Sequence, residues 1–200
     1  GKPVVLEGGA VDVNGKGTLI TSEECLLHPD IQVRNEGFTK EDYEAVFKEY
    51  LGVSNVIWLG AGIEGDDTHG HIDDLARFVN EDTIVTVVES NPDDKNYQPL
   101  QDNLKRLQAA TLENGKHPKI VSLPMPNRLD FEGLRLPASY ANFLILNTSV
   151  LVPTFNDPND RIALNTLADC FPTKEIIGIA ATDFIWGFGT LHCLSQQIPE

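Results

Sequence analysis

The sequence predicts an α/β (α+β) fold built from repeated strand–strand–helix–strand units, and three observations carry that prediction. Short apolar runs come in pairs around turn dipeptides such as Asn14-Gly15, each pair is followed by a segment with helical spacing, and each such segment leads to a continuous apolar run. The pattern returns after roughly 50 to 60 residues, as in repeat architectures whose units bury one another's faces.

The first unit spans about 3–64. Val4–Leu6 and Ala10–Val13 read as strand, Asn14-Gly15 as the turn and Thr18–Thr21 as the returning strand. Thr39 with Asp42 three residues on is a helix start, Tyr43, Val46, Phe47, Tyr50 and Leu51 form its apolar face, and Gly52 ends it before the strand Asn55–Leu59. The second unit, about 69–130, pairs Leu75–Val79 with Thr83–Val88. Leu100, Leu104, Leu107 and Ala110 mark its helix, and Lys119–Leu123 its closing strand. The third, about 139–186, has Ala141–Leu146, Val150–Val152, a helix over 160–170 (Ile162, Leu164, Leu167, Ala168) and Glu175–Ile179. A further unit begins at 187, and residues 187–200 are expected to complete a site. With no linker between the units, 1–200 reads as a single domain. Its start, Gly1-Lys2-Pro3-Val4, reads as the interior of a longer protein whose N-terminal units are absent. Asn91–Asn96 is expected as a surface loop over the site, and Trp58 and Trp186 as core.

Thirty acidic against fifteen basic residues give a net charge of −15. That balance argues against nucleic acid or an anionic membrane as a partner, since both require a basic surface. A solvated acidic exterior is the ordinary cause of such a charge, and a cationic small ligand is compatible with it. The three cysteines, Cys25, Cys170 and Cys193, cannot all pair and show no Cys-x-x-Cys spacing, so a reducing, cytoplasmic setting is expected. No apolar run approaches the ~18 residues of a membrane span.

If the units are equivalent, the starts of their first strands converge. Four polar clusters stand there: Glu7-Gly8-Gly9, Gly70-His71-Ile72-Asp73, Ser139-Tyr140-Ala141-Asn142, and Gly187 to Cys193. The stretch Thr68 to Asp74 holds two of the chain's five histidines and admits three readings. Alternation along a strand would put His69, His71 and Asp73 on one face with Cys193 as a fourth metal ligand, although neither His-Glu-x-x-His nor Cys-x-x-Cys occurs. It is equally a satisfied polar segment with Cys193 simply buried. In the third reading Cys193 is a nucleophile activated by a neighbouring histidine that a carboxylate orients.

The segments Glu7-Gly8-Gly9, Asn14 to Leu27, Asp66 to Asp73, Ser139 to Phe143 and Leu191 to Gln197 resemble the agmatine deiminase family, which includes bacterial peptidylarginine deiminases of the same type. The resemblance implies the pentein fold, a propeller of five such units around a central site, of which this chain carries about three and part of another. It also implies hydrolysis of a guanidine with release of ammonia, most directly agmatine to N-carbamoylputrescine. Peptidyl-arginine or free arginine is the alternative within the class, and a catalytically inactive guanidine-binding protein the alternative outside it. By resemblance Cys193 is the nucleophile, His71 the acid and base, Glu7 the partner that holds His71, and Asp73 the carboxylate that grips the guanidinium. Asp67, His69, Gly189 and Thr190 flank the pocket as further substrate contacts, with Ser195, Gln196 and Gln197 as support beneath the sulfur. No metal or organic cofactor is implied, and a homodimer is an open expectation. The chain departs from the family at Thr190, where Asn is typical, at Phe188, where Gly is typical, and at His69, where Asn is common. The family's N-terminal Trp-Arg-Asp motif does not precede Glu7. A substrate carboxylate would call for a basic partner, for which Arg77, Arg128 and Arg135 are the candidates.

Overall fold

The computed structural model describes residues 3–198; Gly1, Lys2, Pro199 and Glu200 lie outside the described residues. The repeat is visible in the sheets. Strands β1 (Asp12–Val13), β2 (Thr18–Ser22) and, after the helices α1 (Glu23–Leu27) and α2 (Lys40–Leu51), β3 (Asn55–Leu59) form one three-stranded sheet. The second unit has β4 (Ala76–Phe78), β5 (Thr83–Val88), α3 (Tyr97–Ala109) and β6 (Lys119–Pro124). A hairpin, β7 (Asp130–Phe131) with β8 (Leu134–Arg135), leads to the third unit of β9 (Leu144–Ile145), β10 (Ser149–Thr154), α4 (Asn159–Cys170) and β11 (Glu175–Ala180). In every unit the middle strand runs antiparallel to the first and parallel to the last. The parallel pair requires the helix as its crossover.

Local chemistry explains the elements. Asn14 accepts at Oδ1 from the amides of Lys16 and Thr18 while Gly15 takes φ 70°, a turn of the kind its Asn-Gly dipeptide favours. Thr39 and Asp42 form a reciprocal capping box at the start of α2, and Gly52, left-handed at φ 67°, closes it. Tyr43 and Phe47 are the fully buried residues of that helix. Tyr50, expected on the same face, is 72% exposed, because the apolar stripe is only two turns long. Ile162 of α4 likewise faces out, its place toward the sheet being taken by Ala163 and Leu167. On α3 the buried face includes Asn103, whose amide group accepts from the Gly60 N–H and donates to the Ala61 carbonyl, tying the helix to the end of β3.

Two expectations are corrected. Val4–Leu6 joins no sheet; the side-chain amide of Asn35 pairs with both backbone groups of Val5 and takes the place of a neighbouring strand. The helix α1 and the β7–β8 hairpin were not foreseen. Trp58 packs half-buried against the smaller core cluster, its indole N–H on Glu44, as expected, whereas Trp186 is exposed and stacks on Phe131 at 4.3 Å.

The core falls into a smaller cluster beneath the first unit and a larger one shared mainly by the second and third. Arg77 fastens the three units together: its buried guanidinium donates to Asp12 of β1 and to the Ala141 and Phe143 carbonyls at the entrance to β9. The units are equivalent in detail as well. Thr21 on β2 donates to the Ala10 carbonyl, and Thr86 on β5 donates to the Leu75 carbonyl, each eleven residues back, so both first strands enter at the same height.

Candidate active site

The polar clusters at the first two strand entrances and the segment after β11 surround one hollow of about 320 Å³, with Asn142 of the third entrance behind its wall. Its walls include Glu7, Gly9, His71, Asp73, Gly189, His192 and Cys193. A larger hollow of about 650 Å³ lies between Val88–Lys95 and Pro124–Arg128, with neither cysteine nor histidine in its wall. Asn91–Asn96 borders that second hollow and not the first, so it is a surface loop but not one over the site.

The segment Thr68 to Asp74 is not a strand. His69 and Gly70 both take left-handed conformations, φ 55° and 88°, and Ile72–Asp74 is a 3₁₀ turn. The alternation that would have put His69, His71 and Asp73 on one face is therefore broken. The buried carboxylate of Asp66 holds the bend by accepting from the amides of Thr68, Gly70 and His71, and the Ser22 hydroxyl caps the Gly70 carbonyl. His71 and Asp73 point into the hollow. His69 turns away toward Glu24, 3.9 Å distant, and lines no part of the hollow.

His71 is held from one side by Glu7, whose Oε2 lies 2.7 Å from Nε2. Burial opposes the charge on Glu7, but hydrogen bonds from Arg34 and His71 outweigh it and hold the carboxyl below its ordinary range. On the other side Asp73 Oδ1 lies 4.0 Å from His71 Nδ1. Asp73 is fully buried; its Oδ2 receives His192 Nδ1 at 2.7 Å, and its Oδ1 has no partner. A buried carboxylate oxygen without a donor is costly.

The sulfur of Cys193 faces the hollow, 3.6 Å from Asp73 Oδ2. It is set by Asn142, whose amide nitrogen donates to the sulfur at 3.0 Å and to Asp74 Oδ1 at 3.0 Å. The amide oxygen of Asn142 accepts from the backbone of His192 and Cys193 and from the Thr190 hydroxyl. Thr190 is thus a buried support for Asn142 and makes no contact with the hollow. Burial first, then the negative charges of Asp74 and Asp73, push the Cys193 thiol well above its usual range. Burial and the proximity of Asp73 and Asp66 likewise raise the Asp74 carboxyl far above a normal aspartate.

Two glycines allow the groups to meet. A Cβ on Gly9 would lie 2.5 Å from His71 Nδ1 and 2.9 Å from Asp73 Oδ2, and one on Gly189 would lie 2.7 Å from Cys193 Cβ. Asp67 is at the exposed rim, and Ser195, Gln196 and Gln197 line the hollow, Ser195 also donating to the His192 carbonyl in the turn that carries Cys193. Arg77 is consumed in the core, Arg128 pairs with Asp130, and Arg135 with Glu64 and Asp94; none reaches this hollow. Among the described residues the imagined set of His69, His71, Asp73 and Cys193 does not assemble. The close acidic, thiol and imidazole groupings are Glu7, Cys25 and His71, and Asp73, Asp74 and Cys193. Arg34, Asp66, Asp74, Asn142 and His192 are the structural members of the site to which sequence reasoning assigned no role. Asn142 and His192 stood inside quoted clusters; Arg34 carried no signal.

Fold and site together define a pentein-type α/β protein with a cysteine, a histidine and carboxylates around one small acidic hollow. The chain belongs to the Porphyromonas-type peptidyl-arginine deiminase family, whose pattern it matches over residues 1–199. It is similar to the agmatine deiminase of Enterococcus faecalis, with 36% identity, a TM-score of 0.91, and 98% of this chain against 58% of that one. It is also similar to a C. jejuni agmatine deiminase with substrate bound, with 38% identity and a TM-score of 0.87, covering 96% of this chain and 55% of that one. A relative from Marinomonas sp. (strain MWYL1) is 38% identical over 99% of this chain and 58% of its own length. The chain therefore spans little more than half the length of the relatives it matches.

Proposed function

We propose that the protein hydrolyses a guanidine through a covalent bond to Cys193, with agmatine as substrate and N-carbamoylputrescine and ammonia as products, a step toward putrescine. One observation carries the reading: a thiol, an imidazole and a buried carboxylate with an unpartnered oxygen share one hollow of about 320 Å³. A guanidinium is flat, permanently charged and rich in donors, and a carboxylate is its geometric complement. Asp73, in the wall of the hollow with its Oδ2 3.6 Å from the sulfur, is the carboxylate proposed to take its N–H groups.

The chemistry follows from the electrostatics. Without a cation the thiol keeps its proton; an arriving guanidinium offsets the negative charge beside the sulfur, and the proton passes to His71. The thiolate attacks the central carbon, giving a tetrahedral adduct. Protonated His71 donates to one nitrogen, which leaves as ammonia, and the carbon remains bound to sulfur as an amidino-thioether. Neutral His71 then takes a proton from water, the hydroxide adds to the same carbon, and collapse of that adduct releases the urea and the thiolate. Glu7 orients His71 throughout. Asp67 at the rim is the proposed contact for the far end of the substrate. We also propose that further blades of the whole protein wall this site.

The experiment is ammonia release by the full-length protein from agmatine, arginine and a blocked arginine peptide. Agmatine is expected to be turned over fastest; preference for the peptide would move the assignment to peptidyl-arginine. Cys193→Ser is expected to abolish release while agmatine still binds. Binding by the unaltered protein with no turnover of any of the three would establish a guanidine-binding protein instead.

A further inference from the structure

We propose that Arg34 is a positioning residue that sets how strongly Glu7 holds the proton of His71. Its side chain is 4% exposed, and its donors are used by three segments: Nη1 by the Cys25 and Gln32 carbonyls, Nη2 by the Thr68 carbonyl at 2.6 Å, and Nε and Nη2 by Glu7. It reaches the site from the loop between α1 and α2 and fastens the bend that carries His71 to the strand entrance that carries Glu7.

The decisive feature is a shared oxygen. Glu7 Oε2 receives Arg34 Nη2 at 3.0 Å and His71 Nε2 at 2.7 Å. A permanent cation and a titrating imidazole thus compete for one lone-pair region, and the guanidinium cannot give up its proton. With Glu7 alone, an imidazolium would be bound tightly and would release its proton reluctantly. With Arg34 on the same carboxylate, part of that attraction is already spent, and the ring can pass its proton to a departing nitrogen and recover one from water. The other groups facing this pair are Cys25 of α1, Asp66 beneath the His71 amide, and Asp73 at 4.0 Å from Nδ1. Burial holds the Cys25 thiol up at about 12, so it stays neutral.

The proposal rests on His71 as the acid and base described above, and its test is independent of turnover. The His71 ring is titrated by NMR in the substrate-free full-length protein, with His71→Gln assigning the signal. Arg34→Met is expected to raise the His71 pKa by on the order of one unit, because a neighbouring positive charge has been removed from a carboxylate it shares. Arg34→Lys, which keeps the charge but loses the fork, is expected to fall between the two, and it carries the test if Arg34→Met does not fold. An unchanged His71 titration in the folded variant would overturn the proposal, whatever became of activity. Where turnover is measurable, the acidic limb of kcat/KM should move with the ring and KM for agmatine should not. A shifted ring in a protein without turnover would support the Arg34 proposal and reject the enzymatic reading alone.

Discussion

At the scale of single residues, the site depends on contacts that tolerate no added atom. Gly9 is the clearest case, since a methyl group there would strike both His71 and Asp73. Gly9→Ala should cost about 10²-fold in kcat/KM for agmatine with little loss of thermal stability, the outcome expected of misplaced reacting groups. The thiol gives a second prediction with a definite sign. Its proton is retained by burial and by the charges of Asp74 and Asp73, so iodoacetamide labelling of Cys193 should still be rising with pH above the ordinary cysteine range. Asp73→Asn removes one of those charges. It should lower the thiol pKa and speed labelling at mildly alkaline pH, while destroying turnover if, as proposed, this carboxylate grips the guanidinium. Slower labelling in that variant would contradict the electrostatic account. Cys25, buried and held at about 12, should label last in either protein, as peptide mapping by mass spectrometry would read.

At the scale of elements, helices and strands follow local rules, and the site lies where those rules stop. Thr39 caps α2 through two reciprocal hydrogen bonds, and Thr39→Ala should cost about 1 kcal/mol in a denaturant titration without altering the site. The bend at His69-Gly70 is the contrary case. A run that alternates like a strand is turned by two left-handed residues and by one carboxylate, Asp66, that collects three amides. Local pattern reads periodicity, and a carboxylate facing its own backbone a few residues on has none. The consequence for function is that His71 and Asp73 enter the hollow from a turn, while His69 leaves it. Gly178, the one glycine within β11, packs against Thr154 and Leu164, so the outer strand approaches the sheet and helix closely.

At the scale of the whole molecule, Arg77 and Asp74 connect the units to stability. Arg77 links β1, β4 and the entrance to β9 through one buried guanidinium, and Arg77→Ala should cost about 3 kcal/mol or more, because it leaves Asp12 and two carbonyls without their donor. Asp74 works in the other direction. Its carboxyl is raised in the fold, so the folded state holds a proton that the unfolded chain releases above ~4. Stability from this group is present below that pH and declines as pH rises. Asp74→Asn should therefore raise the melting temperature at neutral pH, with the gain shrinking toward pH ~4. A gain that grew on acidification would show the sign to be wrong.

What the sequence determined by itself was the repeat and which polar clusters stand at its equivalent points. Alternating strands, capped helices and Asn-Gly turns are short-range chemistry, and they placed β3, β5, the capping box of α2 and the left-handed Gly52 where the structure has them. Cys193, His71, Glu7 and Asp73 were legible because polar residues recur beside glycines at equivalent points of a repeat. Only the tertiary structure decided which neighbours these groups keep. Arg34 on Glu7, His192 on Asp73 and Asn142 on the sulfur join residues 27, 119 and 51 positions apart. It also turned His69 and Thr190 away from the hollow. The reason is physical: a hydrogen bond across the fold is fixed by where packed units bring two side chains, and no spacing along the chain encodes that distance.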